Sequence, residues 1–188
     1  MPFAAIAVHA AARRLHTLSP AALNALRAGP RLIDGALYAE SLATADGALY
    51  AMARTDTEKR ILALAAGAEA GPGMTGETGS RDGVAWKACP LTAENAAALR
   101  RLFPWTAPVS LQERRTTFGC GDRLGRASAG HLRALRRFRV SPVLAQQSMR
   151  ELTLTRRTYR RVLDDAAFLV FQSGYTEGYG ADGDHLKT

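Results

Sequence analysis

The second half of the sequence alternates short apolar stretches with amphipathic segments, and this order restricts the fold. It reads as a strand over 116–119, a helix over Ala129–Phe138, a strand over Ser141–Ala145, a helix from Tyr159 and a strand from Gly180. Ser128 and Thr158 are suitable caps for the two helices. A helix that connects two strands in this way forms a right-handed crossover between parallel strands. We therefore predict an α/β unit with a parallel sheet.

Groups suited to acid–base chemistry or ligand binding come directly after each predicted strand. They are Asp122 with Arg123, Gln146 with Gln147, and Asp184 with His185 and Lys187. The carboxyl ends of parallel strands meet at one edge of a sheet, where α/β enzymes have their active sites. Alternate residues of a strand point to opposite faces. Asp184 and His185 therefore reach one site only if the strand ends or bulges near Asp184.

The first 108 residues have a different pattern, which is typical of a small α+β unit. A helix is predicted from Ser19-Pro20, because serine caps helices and proline suits the first helical position. Further predictions are strands over 31–37, 48–53, 60–64 and 84–89, a turn at Asp46-Gly47, a loop over Gly71–Ser80 and a helix from Thr92 to Leu102. No cluster of catalytic residue types occurs there. Residues 1–108 are thus predicted to be structural and 109–188 to carry the chemistry.

The net charge of +8 is concentrated in one segment. Residues 114–161 hold thirteen arginines against Asp122 and Glu151, which gives +11. Such a stretch is compatible with a surface that binds a polyanion, with a site for anionic small molecules, or with a solvated helix surface. The segment has no RNA- or DNA-binding signature, so a nucleic acid is not the expected partner.

Other features favour a cytoplasmic protein without disulfides. The sequence has no apolar run of about 18 residues, and Arg13 and Arg14 follow the apolar start, the reverse of a secretion signal. Only Cys89 and Cys120 occur, far apart, so neither a disulfide framework nor a zinc site is indicated. Cys120 has no nearby histidine and is not expected to be a nucleophile. The adjacent Asp164-Asp165 is interpreted as solvated helix surface.

Three long segments resemble the tagaturonate epimerases, also called tagaturonate/fructuronate epimerases. The segments are Phe118–Gly125, Ala145–Thr153 and Gly180–Thr188, supported by Leu91–Asn95 and Leu102–Trp105. The resemblance implies the first βα units of a TIM-like barrel, a divalent metal, and interconversion of two keto-uronates that differ at one hydroxyl-bearing carbon. It also implies Asp184 as proton acceptor, His185 as metal ligand, and Asp122, Arg123 and Gln147 as contacts to the sugar acid. Lys187 is a further substrate-binding candidate.

Some residues depart from the family pattern, and some of the candidate site residues also have a purely structural interpretation. Arg126, Ala129 and Gly183 differ from the family pattern. Taken alone, His185 is compatible with a structural histidine, and Asp122-Arg123 with a local ion pair that contributes little when exposed.

The length of the chain accommodates only about three of the eight strands of such a barrel. We therefore expect a truncated, inactive N-terminal piece whose remaining metal ligands lie beyond residue 188. Uncovered strand edges should make it aggregate, or pair with itself or a complementing chain. The alternative function is a catalytically inactive fragment whose Arg-rich surface binds a polyanion or a partner.

The chemistry of such an epimerisation restricts its mechanism. The inverted carbon is β to the ketone, so its C–H is not acidic and direct proton abstraction fails. Our hypothesis is that a base removes the hydroxyl proton and the adjacent C–C bond breaks, which leaves an aldehyde and an enediolate that a divalent cation stabilises. Rotation of the aldehyde and re-addition complete the inversion. Asp184 suits the base, and an arginine suits the clamp on the carboxylate.

Overall fold

The computed structural model describes residues 36–66, 69–81 and 84–184, without the side chains of residues 36, 66, 81, 183 and 184. The chain forms two compact units, one up to Ala98 and one from Leu99, whereas the sequence places the boundary after Pro108. The predicted helix from Ser19-Pro20 lies outside the described residues. No described helix is both long enough and apolar enough to cross a membrane.

The first unit contains a six-stranded antiparallel sheet. Its strands are β1 Ala36–Leu37, β2 Ala43–Ala45, β3 Ala48–Arg54, β4 Lys59–Ala66, β5 Glu77–Arg81 and β6 Val84–Pro90. The order is β1-β3-β4-β6-β5, and β2 also pairs with β3. Asp46 and Gly47 form the turn between β2 and β3 with φ of 48° and 73°, the left-handed conformation that a two-residue hairpin turn requires. The predicted turn and the strands over 48–53, 60–64 and 84–89 are confirmed.

One sequence prediction for this unit is wrong, and another lies partly outside the described residues. Strand β5 occupies the second part of the segment Gly71–Ser80, which was predicted to be all loop. A Cβ at Gly79 would lie 2.5 Å from the Trp86 ring, so glycine lets the indole cover this strand. Residues 31–35 of the predicted strand over 31–37 lie outside the described residues, and the rest forms β1.

Helix α1, Ala93–Leu102, follows β6 as predicted. The Thr92 hydroxyl oxygen accepts a hydrogen bond from the Asn95 N–H at 3.3 Å, which is the expected capping contact. The buried Asn95 side chain also exchanges two bonds of 2.8 Å with the backbone of Thr75. The division between the two units falls within this helix.

The second unit alternates strands and helices in the predicted order. Its elements are a 3₁₀ turn Pro104–Thr106, β7 Thr117–Gly119, α2 Ser128–Leu135, β8 Ser141–Ser148, α3 Met149–Thr155, α4 Tyr159–Ser173 and β9 Gly180–Asp184. The three strands are parallel and ordered β7-β8-β9. The predicted parallel sheet is confirmed, and the described chain is a mixed α/β structure.

Three details of this unit differ from the prediction. Helix α2 begins at Ser128 and ends at Leu135 instead of Phe138. Strand β8 continues through Ser148, so Gln146 and Gln147 belong to the strand instead of following it. Helix α3 was not predicted, although Ser148 and Glu151 form a capping box at its start.

A β-bulge in β8 controls which side chains enter the core between the parallel sheet and its helices. This core contains Leu132, Leu144, Ala145, Val162 and Val170 among others. Leu144 and Ala145 are neighbours, yet both pack there, because pairing with β9 skips Leu144: Val143 pairs with Gly180, and Ala145 with Ala181. The bulge shifts the alternation of every later residue of β8.

Candidate functional site

The bulge at Leu144 turns Gln146 away from the helices. Gln146 pairs in register with Asp182 of β9, and a Cβ at Gly119 of β7 would lie 2.3 Å from Gln146 Oε1. A Cβ at Gly180 would likewise lie 3.2 Å from Val143 Cγ2. These approaches define one face of the parallel sheet: Gly119, Val143, Gln146, Gly180 and Asp182. We call it the open face, although the Leu111 side chain covers it at Gly180. Gly119 and Asp182 are solvent-exposed.

Gln147 lies on the opposite face, with only 1% of its surface exposed. Its Nε2 donates to the Arg123 carbonyl at 3.4 Å, and its Oε1 accepts from Arg157 at 3.2 Å. The structure therefore brings Gln147 next to Arg123, as the sequence suggested. Its amide, however, holds the backbone of the Arg123 loop and does not reach the open face.

Asp122 organises the loop after β7 from within. Its carboxylate, on a residue only 6% exposed, accepts the N–H groups of Arg126, Ala127 and Ser128 at 2.7 to 2.9 Å. The Ser128 hydroxyl donates to it at 3.0 Å, so Asp122 caps α2 and the predicted cap, Ser128, does not. Burial acts to raise the pKa of the Asp122 carboxyl, but these donors outweigh it and hold the pKa below its usual value.

The stability of the second unit should decrease in acid because of Asp122. A carboxyl whose pKa is lowered by folding stabilises the protein above its unfolded pKa of about 3.9, and this contribution is lost as the pH falls through the folded value. Asp122→Asn puts an NH₂ group against backbone donors and should lower the free energy of unfolding at neutral pH by about 1–3 kcal/mol. The variant should also lose less stability than the wild type on acidification.

Urea unfolding at neutral pH and at about pH 3 measures both effects. Asp56→Asn, in the exposed turn between β3 and β4, is the matched control. An Asp122→Asn protein with the stability and pH dependence of the wild type contradicts the capping role.

Arg123 extends from the same loop, with 71% of its side chain exposed, and pairs with Glu151 of α3. The hydrogen bond from Arg123 lowers the pKa of the Glu151 carboxyl. The alternative interpretation of Asp122-Arg123 as a local ion pair is wrong, since each side chain has another partner. A cleft of about 430 Å³ lies here, lined by Gly121, Asp122, Arg123, Leu124, Arg126, Ala127 and Glu151. Its two exposed arginines suit an anionic group such as a carboxylate.

A buried guanidinium that sequence reasoning missed lies behind this loop. Arg157, with 6% of its side chain exposed, donates through Nη1 to the carbonyls of Asp122 at 2.9 Å and Arg123 at 2.8 Å. The same Nη1 reaches Gln147 Oε1, and Nη2 pairs with Asp165 of α4 at 2.5 Å. One side chain therefore connects the loop after β7 with β8 and α4.

The prediction that Asp164 and Asp165 form a solvated helix surface is wrong. Asp164 is 6% exposed and pairs with Arg100 at 2.6 Å and with Arg160 at 3.4 Å. Asp165 pairs with Arg157, so each carboxylate has an arginine as its partner.

Cys120 belongs to the core and is 5% exposed. Burial raises the pKa of its thiol, which keeps it in the unreactive protonated form at neutral pH. The expectation that Cys120 is not a nucleophile fits this environment.

The end of β9 is described only in part. Asp184 is the last residue of β9, and its backbone pairs in register with Ser148. The Asp184 side chain, and all of His185 and Lys187, lie outside the described residues, so their roles stay predictions. Of the two conditions considered for this strand, an end or a bulge near Asp184, the structure has the end, because β9 is assigned only as far as Asp184. The bulge in this sheet lies at Leu144 of the neighbouring strand. Within the described ranges, no three His, Cys, Asp or Glu side chains are grouped so that they could hold a metal.

Comparison with known proteins covers both the loop after β7 and the end of β9. Residues 38–188 match the family model for tagaturonate epimerase (UxaE). The chain belongs to the tagaturonate epimerase family. It is 44% identical over 134 residues to the tagaturonate/fructuronate epimerase of Thermotoga maritima. Two crystal structures of the fructuronate-tagaturonate epimerase UxaE from Cohnella laeviribosi are also similar.

The native Cohnella structure matches with a TM-score of 0.75 and 42% identity over 89% of this chain. The structure with one glycerol bound matches with a TM-score of 0.73 and 44% identity over 82% of this chain. The tagaturonate epimerase relatives are much longer. The chain spans 28% of the length of the Thermotoga protein, and 32% and 30% of the two Cohnella chains.

Sequence reasoning selected Gln147 from the glutamine pair, whereas the open face carries Gln146. The available signal was the apolar run Val143-Leu144-Ala145, which does not alternate as a regular strand with one buried face requires. Asp182 is on the open face by register with Gln146. For Arg157 the sequence contains no signal, because it is one of thirteen arginines in its segment.

Proposed function

We propose that the protein containing this chain interconverts D-tagaturonate and D-fructuronate. The observation that carries this proposal is the family match over residues 38–188, which includes the polar ends of three parallel strands. The relatives with this name are enzymes of more than three times the matched length. Activity, substrate and partners are therefore proposed for the whole protein.

We further propose that β7, β8 and β9 are the first strands of a TIM-like barrel. They are parallel and adjacent in chain order, with α2 and α4 packed against one face of the sheet. Adjacent parallel strands in chain order, with the helices on one side, are what a (β/α) barrel requires. The open face would then line the barrel interior.

In the proposed reaction, Asp184 is the base that takes the proton from the substrate hydroxyl. The C–C bond on the ketone side of the hydroxyl-bearing carbon then breaks, giving an aldehyde and an enediolate. After the aldehyde rotates, the bond forms again on its other side and Asp184 returns the proton. Arg123, next to the cleft, binds the sugar carboxylate, and Lys187 is a second cation for it. Asp122 and Gln147 enter the proposal as residues that hold the Arg123 loop.

A divalent cation is part of the proposal, with His185 as one ligand. The described residues do not form a ligand set by themselves, so the other ligands must come from elsewhere in the protein. Such a cation would polarise the ketone oxygen of the substrate.

Epimerisation is tested with the protein expressed from its complete reading frame, incubated with D-tagaturonate and followed by ¹³C NMR. We expect D-fructuronate to appear, to stop appearing after treatment with EDTA, and to return with an added divalent metal. No D-fructuronate from the untreated protein contradicts the proposed function, and full activity after EDTA contradicts the metal. Rapid uptake of solvent deuterium at the inverted carbon contradicts the C–C cleavage step.

The alternative function is polyanion or partner binding by an inactive fragment. It is favoured by the exposure of twelve of the thirteen arginines in residues 114–161. Binding that weakens steeply with salt in a gel shift supports this alternative.

We also propose that the protein is cytoplasmic, and that this chain associates with itself or with a complementing chain.

A further inference from the structure

Gln146 and Asp182 form a polar pair on the open face that the proposed chemistry does not use. Gln146 Nε2 lies 3.5 Å from Asp182 Oδ2, across the register pair that β8 and β9 make at this point. The Oε1 of the same amide extends over Gly119, where a Cβ would come within 2.3 Å of it. Glycine at 119 thus leaves a recess that the Gln146 amide occupies.

The chemistry of the two side chains determines which hydrogen-bonding atoms of the pair are available to a ligand. An ionised carboxylate only accepts hydrogen bonds, so the amide must turn its NH₂ group toward Asp182. Its Oε1 then points the other way, and it accepts no hydrogen bond from the residues that the structure describes. The open face therefore carries two acceptors, one on each side of the Gln146 NH₂ group: the Gln146 carbonyl oxygen over Gly119 and the Asp182 carboxylate.

Such a pair of acceptors selects donors that carry no negative charge. The hydroxyl groups of a sugar chain fit this requirement, because each hydroxyl can donate one hydrogen bond to one of the two acceptors. A carboxylate is repelled by Asp182, and the exposed arginines at the Arg123 cleft suit it better.

We propose that Gln146 and Asp182, beside the recess at Gly119, bind hydroxyl groups of the substrate's carbon chain. This proposal deepens the epimerase function and rests on it. The pair is poorly suited to a purely structural role, because Asp182 is exposed and the contact between the two side chains is long. Strand pairing between β8 and β9 depends on the backbone and does not require either side chain.

The test uses Gln146→Met, which keeps the length of the side chain and removes the amide, and Gly119→Ala, which fills the recess. The new Cβ meets the far end of a flexible side chain, so Gly119→Ala should displace the amide with little effect on the melting temperature. For each variant we expect KM for D-tagaturonate to rise about tenfold, as the loss of one well-placed hydrogen bond gives, with kcat changed much less.

The double variant separates this role from a general structural effect. If Gly119→Ala acts only by displacing Gln146, it should add nothing in a Gln146→Met background. Gln112→Met, an exposed glutamine in the loop before β7, is the matched control and should keep the wild-type KM. Unchanged KM in both single variants overturns the proposal while the epimerase function stands.

A binding measurement keeps the inference testable if the wild type does not epimerise D-tagaturonate. The neutral polyol galactitol is titrated while the side-chain amide signals of Gln146 are followed by ¹H–¹⁵N NMR, with Gln146→Met as the assignment control. A saturable shift of those signals supports the hydroxyl-binding site without the epimerase function. No shift overturns the site.

Discussion

Replacing Arg157 with Met should lower the free energy of unfolding of the second unit by about 3–5 kcal/mol, the usual cost of removing one partner of a buried ion pair. The Arg157 guanidinium donates to two loop carbonyls, to Gln147 and to Asp165. Methionine fills much of the same volume but donates to none of these acceptors. The Asp165 carboxylate would then be left partly buried without its counter-charge.

The pH dependence of this loss follows from Asp165. Burial raises the pKa of its carboxyl, although Arg157 acts in the opposite direction. Without Arg157 the pKa of Asp165 should rise further. Since the unfolded carboxyl titrates at lower pH, acidification protonates the folded form first and relieves the unpaired charge. The destabilisation by Arg157→Met should therefore be smaller in mild acid than at neutral pH.

Urea unfolding followed by Trp105 fluorescence measures this effect. Trp105 stacks on Phe171 with ring centroids 5.9 Å apart, so its emission reports on the second unit. A Trp86→Phe background removes the other tryptophan of the chain. Arg139→Met, at an exposed position after α2, is the matched control and should change stability by less than about 0.5 kcal/mol. An Arg157→Met protein as stable as this control contradicts the structural role of the guanidinium.

Replacing Asp184 with Asn should lower kcat for D-tagaturonate by about 10²–10⁴-fold, the range that a positioned general base contributes. Asparagine has nearly the same shape but does not take up a proton at neutral pH. Asp184 ends β9 opposite Ser148, at the carboxyl ends of the parallel strands. The variant should bind substrate with a KM close to that of the wild type, because the proposed role of Asp184 is in the chemical step and not in binding.

The measurement is a progress curve for fructuronate formation with equal amounts of folded protein. Asp56→Asn, in a turn of the first unit, serves as the matched control and should keep full activity. More than a tenth of the wild-type kcat in Asp184→Asn would show that another group is the base.

The strand–helix alternation was predictable because each signal for it is local. Thr158 caps the start of α4 by accepting a hydrogen bond from the Arg161 N–H at 3.2 Å, and Gly174 caps its end with φ of 53°. The turn at Asp46-Gly47 is equally local. Helix α3 also has a local signal, the capping box of Ser148 and Glu151, which sequence reasoning overlooked.

Features that depend on packing between distant segments were not predictable from one sequence. Strand β5 forms in a glycine-rich segment because the Trp86 ring covers Gly79. The two residues meet only through the antiparallel pairing of β5 with β6. The Asp122 carboxylate looked like a substrate contact, but the loop folds back so that its oxygens cap α2. Arg157 could not be distinguished from the other arginines of its segment.

The assignment of side chains to the substrate depends on the bulge at Leu144, which separates Gln146 from Gln147. It is tested most directly by the reaction of single cysteines with iodoacetamide in the folded protein. The native thiols of Cys89 and Cys120 are buried and give a low background. Gln146→Cys should react nearly as fast as an exposed Gln112→Cys, whereas Gln147→Cys should react only after unfolding. A protected Gln146→Cys together with a reactive Gln147→Cys would contradict the face assignment on which this account of the site depends.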